Sequence, residues 1–297
     1  MLEFDIYAFA DYSGAAKAST QHKAIAWSVY DRTKLQRELI TGLTRQTLQE
    51  AVHALLRQAT NEGKRVIFGF DHCFSFPQGF YEAIHLKPWR HWRELVSWFH
   101  HDLAKLTPLD QDVNPRAWAT AINQWFVDRD GLAIGPFWGP NFIPLTRQFT
   151  YGIPISHVSS TIWHERRLVE ERMRTLKNIY QLGGAGSVGL QSLFGIYHLY
   201  ELLTSCEAEH IPVHVWPYDG WSVASKAHHV LIEVYATLYL GKSTQKRTDQ
   251  GDAIACTTWA MEQDEAGHLG TYLDKHRLLL TEEEEQRVQL EGWVLGV

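Results

Sequence analysis

The sequence predicts an α/β protein with a mixed sheet, helices on both faces and a helical insertion rich in tryptophan. Two apolar segments of strand length, residues 4–11 and 65–70, each lead into an aspartate, and an amphipathic helical pattern at 44–61 separates them. Residues 80–160 interrupt this alternation of strands and helices with helical segments only. With 297 residues, 45% of them hydrophobic, the chain can bury one large core. We therefore expect a single domain over 1–297 with an inserted helical subdomain or cap at 80–160.

The first quarter of the chain predicts a meander of three strands, then a helix and a fourth strand. The strands are residues 4–11, 22–30 and 34–41, with a long turn at 13–21. Thr44 is typical of a helix cap, and the helix should run to Asn61 before Gly63 ends it. The apolar segment 65–70 lacks alternation, which indicates a central parallel strand.

The predicted insertion contains helices at about 91–106 and 115–128. Six of the 12 tryptophans of the chain fall close together here, namely Trp89, Trp92, Trp98, Trp118, Trp125 and Trp138. They either form the core of the insertion or line a cleft in which their faces stack on bases.

The remainder of the chain alternates helices and strands again. Helices are predicted at 161–180, 189–205 and 249–262, and strands at 211–216 and 230–235. The acidic run 282–285 indicates the exposed start of a last helix.

Acidic residues stand at positions that suit a metal site. Asp11 and Asp71 follow predicted parallel strands, and ligands of open α/β sheets bind at that edge. Asp249 and Asp252 are three residues apart and share one face of a helix, while Glu233 lies on a late strand. Oxygen ligands of this kind suit Mg²⁺ or Mn²⁺. Each aspartate taken alone also suits a turn or a helix cap.

This order of acids resembles the RNase H-like superfamily. The segment Asp249-Gln250-Gly251-Asp252-Ala253-Ile254-Ala255 looks like the Asp-x-x-Asp-Ala-Leu-Ala signature of its Holliday-junction-resolvase branch. The chain is also similar to an uncharacterised bacterial family of predicted RNase H-like nucleases, through Asp11, Asp71, Glu233-Val234-Tyr235 and Asp252. It departs from that family at Ala236, where proline is usual, and at residues 72–77.

The resemblance implies an RNase H-like fold and a metal-dependent nuclease or phosphodiesterase. Asp11, Asp71, Glu233 and Asp252 would then be catalytic metal ligands, and Asp249 would support them. Two ions can stabilise the attacking and the leaving oxygen of a phosphoryl transfer. The substrate would be a nucleic acid or a small phosphate compound.

Other residues are candidates for contact with a substrate phosphate. Ser13 and Lys17 follow the first aspartate in a pattern similar to the phosphate hairpin of sugar kinases and actin-like ATPases. Gly184, Gly186 and Ser187 lie in a Gly-x-Gly-x-x-Gly segment that precedes a helix. This segment either binds a substrate phosphate or carboxylate, binds the pyrophosphate of a dinucleotide, or is an ordinary turn. Lys246 belongs to a mild basic run before Asp249, formed by Lys226, Lys242, Lys246 and Arg247, which either receives a phosphate backbone or is an exposed loop.

Two alternative functions stay open at this point. One is an ATP-dependent phosphotransferase of the actin-like or sugar-kinase-like kind, and the other is a non-catalytic module that binds a nucleotide or a protein. His72, beside Asp71, is either a general acid or base or a packing residue.

Composition limits the cellular setting and the partners. The net charge of −6 argues against a protein that coats long duplexes, because such proteins usually carry a basic excess. The three cysteines show neither disulfide nor zinc spacing, and no membrane span or secretion signal is visible. We expect a cytoplasmic protein without a membrane partner.

Overall fold

A computed structural model describes residues 4–106, 113–130, 135–139, 163–184, 186–223, 228–240 and 247–297. Its centre is a mixed six-stranded sheet in the order β3-β2-β1-β4-β6-β5. The strands are β1 (Ile6–Asp11), β2 (Ala26–Asp31), β3 (Gln36–Ile40), β4 (Val66–Phe70), β5 (Val213–Val215) and β6 (His229–Glu233). β2 is antiparallel to both of its neighbours, and the pairs β1–β4, β4–β6 and β5–β6 are parallel.

Ten α-helices are assigned in the described part of the chain. They are α1 (Ala18–Ala24), α2 (Arg45–Asn61), α3 (Phe80–His85), α4 (Trp92–Lys105), α5 (Pro115–Asp130), α6 (Leu168–Arg172), α7 (Gly189–Ala208), α8 (Asp249–Glu265), α9 (Leu269–Tyr272) and α10 (Glu282–Glu291). Short 3-10 helices lie at Ala236–Leu238 and Lys275–Leu278. The predicted α/β class with a mixed sheet between helices is confirmed.

The two faces of the sheet are covered by different helices because side chains alternate along each strand. Ala8 and Ala10 of β1 belong to the core that includes α2, α7 and the insertion helices. Tyr7 and Phe9 face the other way, into the core that includes α8. Helices therefore lie on both faces of the sheet, as the sequence indicates.

The predicted meander, helix and fourth strand agree closely with the structure. Thr44 is the N-cap of α2, and its Oγ1 accepts a hydrogen bond from the backbone N of Thr47 at 3.2 Å. The buried side chains Leu48, Val52 and Leu56 form the apolar face of α2. All five residues of β4 are buried, which explains their continuous apolar pattern.

The prediction was wrong at two segments. The expected turn at 13–21 and the first residues of the strand expected at 22–30 contain α1, whose Gln21 is buried and accepts a hydrogen bond from the backbone N of Arg45 at 3.1 Å. The expected helix at 161–180 is reduced to α6 in its described part. Both differences depend on contacts with residues far along the chain, which local patterns do not contain.

The described part of the insertion shares its core with the sheet. Trp89, Trp92 and Trp118 are buried, while Trp98, Trp125 and Trp138 are half-buried against the same core. These six rings therefore serve as packing residues here, the first of the two interpretations. The part of the insertion from 140 to 162 lies outside the described residues.

No helix among the described residues is long and apolar enough to cross a bilayer.

Candidate active site

Two of the predicted acids, Asp11 and Asp71, meet because β1 and β4 are parallel and end side by side. Ala10 is paired with Phe70, and the backbone N of Asp71 donates to the carbonyl oxygen of Ala10 at 3.2 Å. Asp11 and Asp71 thus occupy equivalent positions at the carboxyl edge of the sheet. α8 packs against β1 and β2, and its first turn carries Asp252.

The N-terminus of α8 is fixed by its own cap. The Thr248 Oγ1 accepts a hydrogen bond from the backbone N of Gly251 at 3.0 Å. Asp249 and Asp252 therefore lie in the first turn, where the helix dipole favours negative charge. Together with Asp11 and Asp71 they form what we call the acid cluster.

The electrostatics of the acid cluster show how close its members are. Burial raises the pKa of Asp11 to about 9, and the charges of Asp71, Asp249 and Asp252 and a hydrogen bond with Asp249 add to this rise. Burial and the charge of Asp252 raise the pKa of Asp71 to about 7. Since Asp11 and Asp71 still keep some exposed surface, ions and water can reach them. Without a cation, Asp11 and Asp71 therefore bind protons at a higher pH than an ordinary aspartate does.

A cationic side chain already sits at one edge of the acid cluster. The Arg247 guanidinium donates from Nη2 to the Oδ2 of Asp252, and its Nε lies 3.4 Å from Oδ1 of the same carboxylate. Its Nη1 donates to Thr237 Oγ1 at 2.7 Å. The Asp252 side chain is 9% exposed and that of Arg247 is 51% exposed. The positive charge of Arg247 also acts to lower the pKa of Asp71.

Because side chains alternate along the strand, Glu233 does not join the acid cluster, although its charge still acts to raise the pKa of Asp71. It is paired with Phe70, so its side chain points to the face opposite that of Asp71. There it forms a two-pronged ion pair with Arg167, at 2.7 Å for Nη1 to Oε2 and 2.6 Å for Nη2 to Oε1. The backbone N of Phe74 also donates to its Oε2 at 3.3 Å. The structure thus brings four of the five predicted acids together and engages the fifth elsewhere, so its metal role stays a prediction.

Arg167 is the centre of a buried polar network that sequence reasoning missed. Its Nε donates to Glu170 at 2.7 Å, and its Nη1 donates to the carbonyl oxygen of Glu291 at 3.2 Å. The Glu291 carboxylate accepts from the backbone N of Gln78 at 2.6 Å. This network holds the segment that follows Asp71. The mixed charge of residues 161–180 is typical of an exposed helix, so the local sequence does not indicate that Arg167 is buried in a polar network.

The candidate phosphate residues that the structure describes lie in two loops beside the first turn of α7. Ser13 Oγ accepts from the backbone N of Ala15 at 3.1 Å, and Lys17 is exposed at the start of α1. Gly14 packs so tightly on α7 that a Cβ there would stand 2.9 Å from the backbone N of Gln191. The glycine segment 184–189 leads directly into the same end of α7.

Within the glycine segment, Gly184 and Gly186 have φ of +96° and +69°, a left-handed conformation that favours glycine. The backbone N of Ser187 donates to the carbonyl oxygen of Gly184 at 3.2 Å. The described residues before this segment form only an isolated bridge at Gln181, so the strand that a dinucleotide fold requires is not seen there. Lys246 lies outside the described residues.

Two further residues position the loops, and sequence reasoning did not single them out. Gln191 of α7 donates from Nε2 to the carbonyl oxygen of Asp71 at 2.6 Å. The buried Arg45 donates from Nη1 to the carbonyl oxygens of Ser13 at 3.0 Å and Ala15 at 2.7 Å. Both contacts join residues that are far apart in the sequence, and no sequence motif indicates them.

His72 is a packing residue. Its ring stacks on Phe70 with centroids 5.6 Å apart, and its Nδ1 lies 2.9 Å from the carbonyl oxygen of Cys73. Burial lowers the pKa of His72 to about 3. The burial of His72 and its ring contacts support the packing interpretation over that of a general acid or base.

The donor chemistry of the acid cluster fits Mg²⁺ or Mn²⁺, because all of its side-chain donors are carboxylate oxygens that repel one another. However, no three His, Cys, Asp or Glu side chains in the described ranges already stand as a ligand set. Arg247 holds Asp252, and Arg167 holds Glu233. Asp252 would therefore join a cation site only by leaving Arg247 or by sharing its carboxylate with it.

Comparison of the chain with protein-family models, with curated proteins and with solved structures finds no match. The resemblance to RNase H-like nucleases therefore stays a hypothesis based on residues and their order.

Proposed function

We propose that the chain is a divalent-metal-dependent phosphodiester hydrolase of the nuclease type, with an RNase H-like arrangement of its first four strands and α2. The observation that supports this most is the convergence of Asp11, Asp71, Asp249 and Asp252 on one face at the carboxyl edge of the sheet. Like charges held this close destabilise a fold, so their retention suits a site that binds cations.

The protein's own groups would do the following. Asp11 and Asp71, held by neighbouring strands, would direct their carboxylates to a common point and give up protons when a cation binds. Asp249, hydrogen-bonded to Asp11, would fix its orientation. A bound Mg²⁺ or Mn²⁺ would supply an activated water and stabilise the charge that develops on the leaving oxygen.

The two loops beside the acid cluster are suited to contact the phosphate group of a substrate. Ser13, Lys17 and the glycine segment 184–189 lie around the first turn of α7, next to Asp71. Backbone N–H groups at the start of a helix favour anions. A nucleic acid strand or a small phosphodiester would then place its phosphate between these loops and the acid cluster.

The test combines binding and turnover. Calorimetric titration with Mn²⁺ at pH 8 should show binding to the wild type and at least a tenfold loss for Asp71→Asn, which removes one charge with little change in volume. Hydrolysis of single-stranded and duplex oligonucleotides and of bis(p-nitrophenyl) phosphate should depend on the metal and fail in this variant. A folded wild type that binds no Mn²⁺ would contradict the proposal. Stabilisation by ATP without hydrolysis of any diester would favour the phosphotransferase.

A further inference from the structure

Arg247 occupies the place of a cation in the acid cluster. It reaches Asp252 through Nε and Nη2, and Thr237 through Nη1, so all three guanidinium nitrogens are engaged at this edge. Asp252 is buried, whereas Arg247 is half exposed. The carboxylate is thus held in place by α8, and the guanidinium is the partner that can leave into solvent.

The surroundings of Arg247 contain an excess of negative charge. One guanidinium faces Asp252, and Asp71 and Asp11 lie close enough for their charges to act on one another. A single positive charge does not neutralise this set, and the remaining repulsion adds to the effect of burial on the pKa of Asp11. A divalent cation carries twice the charge and accepts several carboxylate oxygens at once.

We propose that Arg247 is an internal counter-ion that competes with the divalent cation for Asp252, so that cation binding requires this guanidinium to move away. The inference rests on the proposed function, since it assigns a role toward the same cation. Arg247 holds Asp252 in place while the cation is absent and lowers the affinity of the site. Release of Asp252 then adds its oxygens to those of Asp71 and Asp11.

The test is the affinity for Mn²⁺ alone, measured by calorimetry at pH 8 without substrate. Arg247→Gln should bind Mn²⁺ about tenfold more tightly than the wild type, because a competing positive charge has been removed. Arg247→Lys keeps the charge and should stay within about threefold of the wild type. Arg57→Gln is the matched control, because Arg57 is also about half exposed and ion-paired, with Glu209, and lies on α2. Its affinity should equal that of the wild type.

A double-mutant comparison separates competition at Asp252 from a general effect of charge. In the Asp252→Asn background, Arg247→Gln should change the affinity by less than about threefold. Equal or weaker binding by Arg247→Gln in the otherwise unchanged protein would overturn the inference and leave the proposed function standing. Absence of Mn²⁺ binding in every variant, with folding verified by circular dichroism, would overturn the proposed function and the inference with it.

Discussion

Asp11→Asn should stabilise the protein while it abolishes the proposed activity. The pKa of this carboxyl group rises from 3.8 to about 9. That difference corresponds to about 7 kcal/mol of unfavourable free energy for the ionised form. Because the group keeps contact with solvent, which screens charge, we take about a third of this, ~2 kcal/mol, as the gain at pH 8.

The gain should depend on pH with a definite sign. The unfolded chain ionises Asp11 near its ordinary pKa, whereas the folded protein retains the proton up to about pH 9. The free energy of unfolding of the wild type therefore falls as the pH rises through this window. Asn carries no titratable proton, so the stabilisation by Asp11→Asn should be larger at pH 8 than at pH 5.

The assay is urea denaturation in EDTA at both pH values, supported by thermal unfolding, where roughly 5 °C is expected at pH 8. The control is Asp31→Asn, which should lower stability at pH 8. This is because hydrogen bonds from Thr33 and Lys64 to Asp31 outweigh the effect of burial and lower the pKa of its carboxyl group to about 2, so the folded state favours the ionised form. If Asp11→Asn gives no stabilisation, or one that does not grow between pH 5 and pH 8, the acid cluster does not carry the repulsion described.

Two further substitutions test the frame around the site. Glu233→Gln should lower the free energy of unfolding by about 3–5 kcal/mol in urea at pH 7, because it removes one of the two carboxylates that compensate the buried Arg167 charge and leaves only Glu170; a loss under 1 kcal/mol would show that this ion pair is not structural. Gly195→Ala should lower it by about 1–3 kcal/mol, because its Cβ would stand 2.3 Å from the Cε1 of His72. An unchanged denaturation midpoint in the second variant would contradict the packing of that ring.

Local patterns accounted for much of the fold. The apolar segments of β1 and β4, the cap at Thr44 and the apolar face of α2 all appear where short-range periodicity placed them. The prediction failed where the local signal was weak, as at α1 and α6, whose positions depend on distant partners. The ends of β1, β4 and α2 differ from their predicted ends by two residues at most, since individual hydrogen bonds decide where a strand or helix ends.

Part of the candidate site also followed from the sequence. Aspartates after parallel strands and at the start of a late helix must come to one edge of the sheet once the strands pair in parallel. Glu233 is predicted to join them because it lies on a late strand beside the others. The register of β6 against Phe70 decides otherwise, because a shift of one residue reverses the face on which a side chain lies.

The amino-acid sequence by itself determined the class of the fold, the strand and helix that carry each aspartate, and the oxygen-only chemistry of the acid cluster. These follow from periodicity and residue type, which act over a few neighbouring positions. Only the tertiary structure decided which cation faces which acid: Arg247 with Asp252, and Arg167 with Glu233. The physical reason differs between the two pairs. Arg167 and Glu233 are 66 positions apart and meet only through the fold. Arg247 and Asp252 are five positions apart, but the burial of Asp252 at the edge of the sheet, which no local pattern contains, makes this pair part of the site.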